Sequence, residues 1–460
     1  MKSITKESLY WFLANFILLI ALLYPAIENG FPLLYAESGT FISTKSDGSY
    51  AVDILNTYGL FVRHSSLSWN LWMLLFAQTL IVIVVLKSFL KFLLNDKLNP
   101  VSFGLIGFFL VFFTSIDSMC SSISPMIFEP LSLILFGLIL FSKRLPKLAL
   151  VVFIIFTAFN HSSMLIAIIL SVCFAIYYII KSGNNPLFKR SLLLLSISIS
   201  LPILIAFGNY IKEGNFQISR NLGVQLIANF SENHMLEDFL NEKCKKQKND
   251  LNLSLNYCEN EKYRKHFSRE DFMYKKSSPL YSHYPDLNWA ESWEKLNQPY
   301  EELAFRMIND SKYGRKYLLG TLSSFLKQLQ YVQDSKLAKQ NFRKIISFKY
   351  RYNLEEYRHS AQFKRAIEYR NNELIESLLY VIFLLSFPIF LYIKRDQDPI
   401  INKFGWLIYM ATILNAFLHS LIANADVKFQ LPLVFLLILI GIIKLYSHLN
   451  NTYVISRKSS

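Results

Sequence analysis

The chain has 460 residues, 53% of them hydrophobic, and a mean hydropathy of +0.29. Its apolar residues come in long blocks rather than at helical spacing, which excludes a soluble globular protein and predicts an all-α polytopic integral membrane protein. The net charge of +15 divides between short loops that orient the spans and one long polar segment.

About ten spans are expected from segment length, at ~20 residues for a full crossing. They cover residues 8–27, 68–90, 101–116, 121–141, 146–160, 162–181, 191–208, 374–393, 403–422 and 429–447. The first is too long for a cleavable signal and lacks a small-residue cleavage site, so it is read as a retained span. The loop after it, residues 28–67, opens with Asn29-Gly30-Phe31-Pro32-Leu33-Leu34-Tyr35-Ala36-Glu37-Ser38-Gly39-Thr40-Phe41. Glu37 is therefore a carboxylate a few residues beyond a membrane helix, and an acid there is not needed for anchoring. Farther along, Ala51, Leu55, Tyr58 and Val62 share one helical face. That pattern fits a juxtamembrane helix, either in the interface plane or packed on other spans. The apolar block 146–181 is broken by Asn160-His161-Ser162-Ser163 and reads as two short helices joined by a tight turn.

Residues 209–372 form a polar, mostly helical segment. Tyr300 to Gln333 reads as one helix, and Leu354 to Glu376 as another that runs into the eighth span. Ser335 to Lys349 is strongly basic and suits lipid headgroups. The organisation is thus an N-terminal module of seven spans (1–208), a soluble segment (209–372), and a C-terminal module of three spans with a tail (373–460).

Lys and Arg set the orientation. With both termini cytoplasmic, 17 basic residues fall in cytoplasmic short loops and 3 (Lys45, Arg63, Lys428) in the opposite ones. The long segment then faces outward with 28 basic against 20 acidic residues. Basic surface there suits anionic lipid or a phosphate-bearing substrate, and its side of the membrane excludes nucleic acid. Cys244 and Cys258 share this outer segment, 14 residues apart. They pair plausibly in an oxidising compartment, with free thiols as the alternative. Cys120 and Cys173 lie in or near spans and read as small apolar packers.

The chain contains no Walker A sequence, no G-x-G-x-x-G after a strand, no H-E-x-x-H and no paired C-x-x-C, which argues against an ATP-driven pump. What remains are polar residues at the outer ends of spans: Glu37, Asp47 and Asp53 in the first loop, Asp117, Glu129 beside Pro125 and Pro130, Asn160 and His161, and Asn415, His419, Asn424, Asp426 and Lys428. Ionisable groups inside a membrane are costly and face a cavity or a partner. Together they could supply a base for a hydroxyl and cations for a leaving phosphate. Each also has a plain reading: Asp117 as a helix terminator, His161 and His419 as buried hydrogen-bonded histidines, Glu129 as paired with a hydroxyl or lysine.

The Asn29–Phe41 stretch, then Tyr58-Gly59-Leu60-Phe61, then Ser68, Leu71, Trp72 and Ala77-Gln78, resembles a group of poorly characterised bacterial inner-membrane proteins. Their pattern is roughly N-G-F-P-L-x-x-x-D-T-G-T-Y followed by R-P-x-x-Y-G-L-F. Ser124-Pro125-Met126-Ile127-Phe128-Glu129-Pro130-Leu131, the His161-Ser162 turn, the cysteine pair, Ser278-Pro279-Leu280 and Asn415 to Gln430 add to the likeness. That group in turn looks like the GT-C glycosyltransferases. Glu37 stands where the pattern has Asp, Ile54-Leu55 where it has Arg-Pro, Met126 where an Asp is frequent, and Val427-Lys428-Phe429 where it has an Arg-Tyr pair.

The resemblance implies a GT-C-like enzyme of the bacterial inner membrane that uses a polyprenyl-phosphate-linked sugar and a glycan, lipid or protein acceptor. It puts Glu37 at the catalytic-acid position, as a base or as a ligand of a divalent metal such as Mg or Mn. Arg63, His161 and Lys428 become candidates for the donor phosphate, with Asp47, Asp53, Asp117, Glu129, His419 and Asp426 as secondary candidates. The alternatives are a lipid-linked-glycan polymerase or translocase, and a non-catalytic assembly protein.

Overall fold

The structure is a computed structural model that describes residues 6–35, 37–44, 56–94, 98–182, 186–214, 216, 221–246, 257–284, 286–287, 289–330, 337, 341–366, 373–393, 399–422 and 430–458. Among them the regular structure is helical, and the one extended pairing is an isolated bridge between Leu33 and Ser122.

In chain order the first half holds α1 (Lys6–Asn29), α2 (Ser38–Ser43), α3 (Asn56–Ser65), α4 (Leu71–Leu93), α5 (Pro100–Phe113), α6 (Ile116–Cys120), α7 (Phe128–Phe141), α8 (Lys147–Phe159), α9 (His161–Ser182) and α10 (Pro186–Glu213). The polar segment contributes α11 (Leu222–Glu232), α12 (Met235–Lys246), α13 (Arg269–Tyr274), α14 (Pro279–Ser282), α15 (Trp289–Asn309), α16 (Ser311–Gln330), α17 (Arg343–Lys349) and α18 (Leu354–His359). The chain closes with α19 (Glu373–Ile393), α20 (Pro399–Ile422) and α21 (Leu431–Lys458).

Among the described residues, apolar helices occupy all ten expected positions, and five, α1, α4, α9, α10 and α20, are long and apolar enough to cross a membrane. α7 and the apolar first part of α21 are used differently. Every residue from Phe128 to Leu140 of α7 is buried, and so is every residue from Leu431 to Gly441 of α21. A helix apolar on all sides belongs at the centre of a bundle. By contrast α1 and α10 leave large apolar side chains such as Phe12, Ile17, Leu204 and Ile211 exposed, the surface expected toward lipid. Glycines allow close approach at the centre: a methyl group on Gly137 would lie 2.2 Å from the Phe404 ring, and one on Gly441 2.1 Å from Phe383.

Local chemistry sets the boundaries. Asn70 and Asn99 cap α4 and α5, their side-chain oxygens accepting from Trp72 N–H (2.9 Å) and Ser102 N–H (2.8 Å). The break expected near Asn160 is present: this residue is extended (φ −141°, ψ 129°) and separates α8 from α9. The disulfide Cys244–Cys258 also forms, with Cα atoms 5.6 Å apart.

Three expectations are corrected, and one left open is decided. The single helix from Tyr300 breaks at Asp310, whose carboxylate accepts from Lys312 N–H (3.1 Å) and Tyr313 N–H (3.4 Å) and so starts α16 anew. The helix from Leu354 ends at His359, because the following backbone is drawn into pairing with the first loop, described below. Of the two readings of the juxtamembrane helix, the structure shows the packed one: Tyr58 and Val62 of α3 are fully buried, while Ala51 and Leu55 lie outside the described residues. Cys120 is buried as expected, but Cys173 is exposed on the surface of α9.

The polar segment divides in two. Residues from α11 to the start of α16 form a module with its own core around Trp293, Tyr300, Tyr263 and Phe272. Phe342, Ile346, Tyr350 and Tyr357, from the remainder, join the core of the bundle instead. α16 links the two by lying along α20: Tyr317 Oη donates to the Leu421 carbonyl (2.5 Å), and Phe325 meets Phe417. Leu318, Leu319, Leu322 and Leu326 of α16 remain exposed beside that apolar helix.

Candidate functional site

One end of the bundle is closed by the loop after α1, by α2 and α3, by residues 114–127, and by residues 341–366. Here the Asn29–Phe41 stretch is fixed from three directions. Gly30 turns the chain with φ +73°, a conformation that suits glycine. Asn29 donates to the Phe31 carbonyl (2.6 Å), while its own oxygens accept from Gln362 N–H (2.7 Å) and Ala361 N–H (2.9 Å). Gln362 then pairs with both backbone groups of Leu34, at 3.0 and 2.7 Å. On the other side Leu33 exchanges backbone bonds with Ser121 and Ile123 (2.9 and 3.0 Å). Ser38 accepts from Tyr35 N–H (2.9 Å) and donates to the Ile123 carbonyl (2.8 Å).

The motif residues are thus mostly structural, and they present Glu37. Glu37 is half-buried at the N-cap of α2 but does not cap it. Among the described residues its carboxylate makes no hydrogen bond or ion pair. Beside it, Phe342 and Ile345 pack on Gly39, where a methyl group would lie 2.9 Å from the Phe342 ring. That contact brings α17, with Arg343, Lys344 and Lys349, against α2, and Lys349 donates to the Thr44 carbonyl at 3.5 Å. The described part of the basic stretch therefore packs against the helix that Glu37 opens.

Tyr58-Gly59-Leu60-Phe61 builds the floor. Gly59 sits against Thr44, with room for no side chain (2.1 Å). Tyr58 is surrounded by Phe41, Phe61, Phe128 and Phe159 at centroid distances of 4.8 to 6.0 Å. Its hydroxyl donates to Gln78 (3.4 Å), whose amide donates to the carbonyls of Cys120 (2.6 Å) and Ser122 (2.9 Å). These are folding roles.

A second carboxylate lies below this floor. Glu129 is 2% exposed. One oxygen accepts from Asn160 Nδ2 at 3.0 Å; the other has no partner among the described residues. Asn160 is itself held by Ser162, which donates to its oxygen from both N–H (3.1 Å) and hydroxyl (2.9 Å). Leaving a buried polar atom unpaired costs ~1–3 kcal/mol, more for a charged group. Glu129 is therefore the strongest sign of a purpose beyond packing, and α3 reaches the same place through Thr57, which donates to the Ala158 carbonyl (2.5 Å).

The other candidates are distributed as follows. Asp117 is buried, and its carboxylate accepts from Ser118 N–H at 2.8 Å in the first turn of α6, as a helix terminus would require. Arg63 lies in the last turn of α3, near enough to Tyr350 to act on its hydroxyl electrostatically. His161 opens α9, and its side chain is not among those described. His419 is half-buried near the end of α20. Asn415 bonds to Gln430 (3.2 Å), which also donates to Tyr380 and the Thr412 carbonyl (both 3.1 Å), a packing network. Asp47, Asp53, Asp426 and Lys428 lie outside the described residues.

One buried acid was not foreseen. Glu376, 3% exposed, accepts from Ser115 N–H (2.9 Å) and from the Ser115 hydroxyl. Its sequence neighbours read as the polar end of a helix, and only its position one turn inside the eighth span could have flagged it. No family model, curated protein or solved structure matches this chain.

Proposed function

We propose that this protein is a membrane glycosyltransferase that takes sugar from a polyprenyl-phosphate-linked donor and passes it to a hydroxyl of a cell-envelope glycan, lipid or protein. The observation that carries the reading is Glu37, half-buried and without a side-chain partner among the described residues, on a fully braced loop at the start of α2, the helix that α17 packs against. The resemblance of that loop to GT-C enzymes supplies the reaction class.

In the reaction the acceptor oxygen attacks the anomeric carbon of the donor. Glu37 takes the hydroxyl proton, the sugar–phosphate oxygen bond breaks, and polyprenyl phosphate leaves with the electron pair. Cations of α17, with Arg63 as a further candidate, stabilise the leaving phosphate. The braced backbone keeps the base from drifting, which is where such geometry acts on rate. In this reading Glu37 acts as the base.

The buried, half-satisfied Glu129 favours a second reading, a translocase or polymerase of lipid-linked glycans, because a carboxylate inside an apolar bundle marks a transport path as readily as a reaction centre.

Purified protein is given a panel of polyprenyl-phosphate sugars, and release of polyprenyl phosphate is measured. Glu37→Gln keeps size and removes the base, so turnover is expected to drop at least 100-fold with donor binding unchanged. Full turnover by a folded Glu37→Gln variant rejects the base. Movement of donor between leaflets of a vesicle, with no bond broken, would instead select the second reading.

A further inference from the structure

We propose that His234, Glu237 and His266 form a binding site for a divalent first-row transition ion, of which zinc is the natural probe. The three side chains belong to the module built from α11 to α16, away from both candidate carboxylates. Their ligand atoms lie within 4.8 Å of one another, two imidazoles and one carboxylate. That donor set, with a fourth position open to water, matches a three-ligand zinc site.

Three features prepare the cluster for a metal. First, the Nδ1 atom of His266 lies 3.1 Å from the Ser231 carbonyl oxygen. A carbonyl can only accept, so Nδ1 carries the hydrogen and the lone pair is left on Nε2. Metal-binding histidines are held in the same way, by a backbone or carboxylate acceptor on the far nitrogen. The Ser231 hydroxyl adds to this brace, donating to the Phe267 carbonyl (3.1 Å) and accepting from Phe267 N–H (3.3 Å). Second, His234 follows the C-cap of α11 with φ +56°, the position at which helices ordinarily place glycine. Here an imidazole takes that conformation, and it is thereby turned back over His266, ring centroids 3.9 Å apart and nearly parallel at 15°. Third, Glu237 is half-buried, three residues on in the first turn of α12, and its Oε1 contacts Nδ1 of His234.

A tetrahedral ion with bonds of ~2.0–2.1 Å needs ligand atoms ~3.3 Å apart. The ligand atoms lie within 4.8 Å of one another and both imidazoles are exposed, so the side chains can adjust around an ion entering from solvent. Binding would join the α11–α12 turn to the strand of chain before α13. Neither the base nor the donor cations of the transfer reaction take part, so this site stands or falls independently of that reaction.

The test uses the full chain in detergent, without a histidine tag, stripped with EDTA and dialysed against zinc. One zinc per chain is expected in the wild type. Glu237→Gln and His266→Asn should each weaken zinc binding at least tenfold. His234→Gly is the decisive variant. Glycine suits φ +56°, so this variant should melt no earlier than the wild type in EDTA, yet lose the zinc-dependent rise in melting temperature. The proposal is overturned if the wild type retains no zinc, if His234→Gly/His266→Asn retains it, or if His234→Gly melts earlier without metal, since the imidazole then serves packing.

Discussion

The bundle and the module of α11 to α16 are both helical, yet they are held together by different means. The bundle core is aliphatic and phenylalanine-rich, and its central helices approach through glycines at Gly137 and Gly441. Lipid is as apolar as leucine, so contacts there must come from close fit and from a few polar bonds such as Gln78 to two carbonyls. The module instead buries Trp293, Tyr257, Tyr263, Tyr300 and Tyr313. Its tyrosines satisfy their hydroxyls internally: Tyr263 with Tyr300 at 2.7 Å, and Tyr257 on the Pro299 carbonyl at 2.9 Å. Burial from water drives that core, and a disulfide reinforces it. The contrast teaches that one chain builds two cores held by different interactions, in contact through α16 on α20.

Three measurements test the contrast. The largest effect is expected from Cys244→Ser with Cys258→Ser. A closed loop of this size contributes ~3 kcal/mol in the chain-entropy model, so the melting transition of the module should fall while that of the bundle stays. Two probes read by differential scanning calorimetry and tryptophan fluorescence separate them, and a joint shift would show a single cooperative unit. Gly137→Leu is the mirror experiment. Its side chain would enter the Phe404 ring, and overpacking of this kind costs ~1–3 kcal/mol. The bundle should weaken and the module keep its transition. The smallest effect concerns pH. Burial holds the His283 imidazole below its usual pKa, in contact with Tyr263 (5.4 Å). A histidine so depressed binds its proton more readily when unfolded. Module stability should therefore decline as pH falls below the ordinary value of ~6.5 toward the depressed folded one, and be regained above it. His283→Phe should flatten that slope, measured by urea titration between pH 7.5 and 5, while the bundle shows no such change.

Much of the fold was legible because apolar blocks report directly on helices that pack in a bundle. The ten apolar helices, the Asn160 break and the cysteine pair all follow from block length, an interrupted block and shared placement. What was not legible depended on distant partners. Leu354 to Glu376 keeps a helical pattern, but Ala361 and Gln362 bond to Asn29 and Leu34, and no local signal reveals a partner 333 residues away. Tyr58 fitted an interfacial stripe and a packed helix equally, since periodicity identifies an apolar face without saying whether lipid or protein covers it. Within the site, Glu37 drew attention as an acid beyond a span. Glu129 was only one of several secondary candidates, because burial with an unpaired oxygen is a property of packing and not of spacing.

The clasp between Asn29 and Gln362 has a consequence for how the protein is made. The first helix and its loop leave the ribosome early, but the residues that hold the loop in shape come 333 positions later. At synthesis rates of ~5–20 residues per second, that delay is roughly 20–70 s. For that interval the loop has only its bonds to Ser121 and Ile123, and the clasp that closes its other side waits for Ala361 and Gln362.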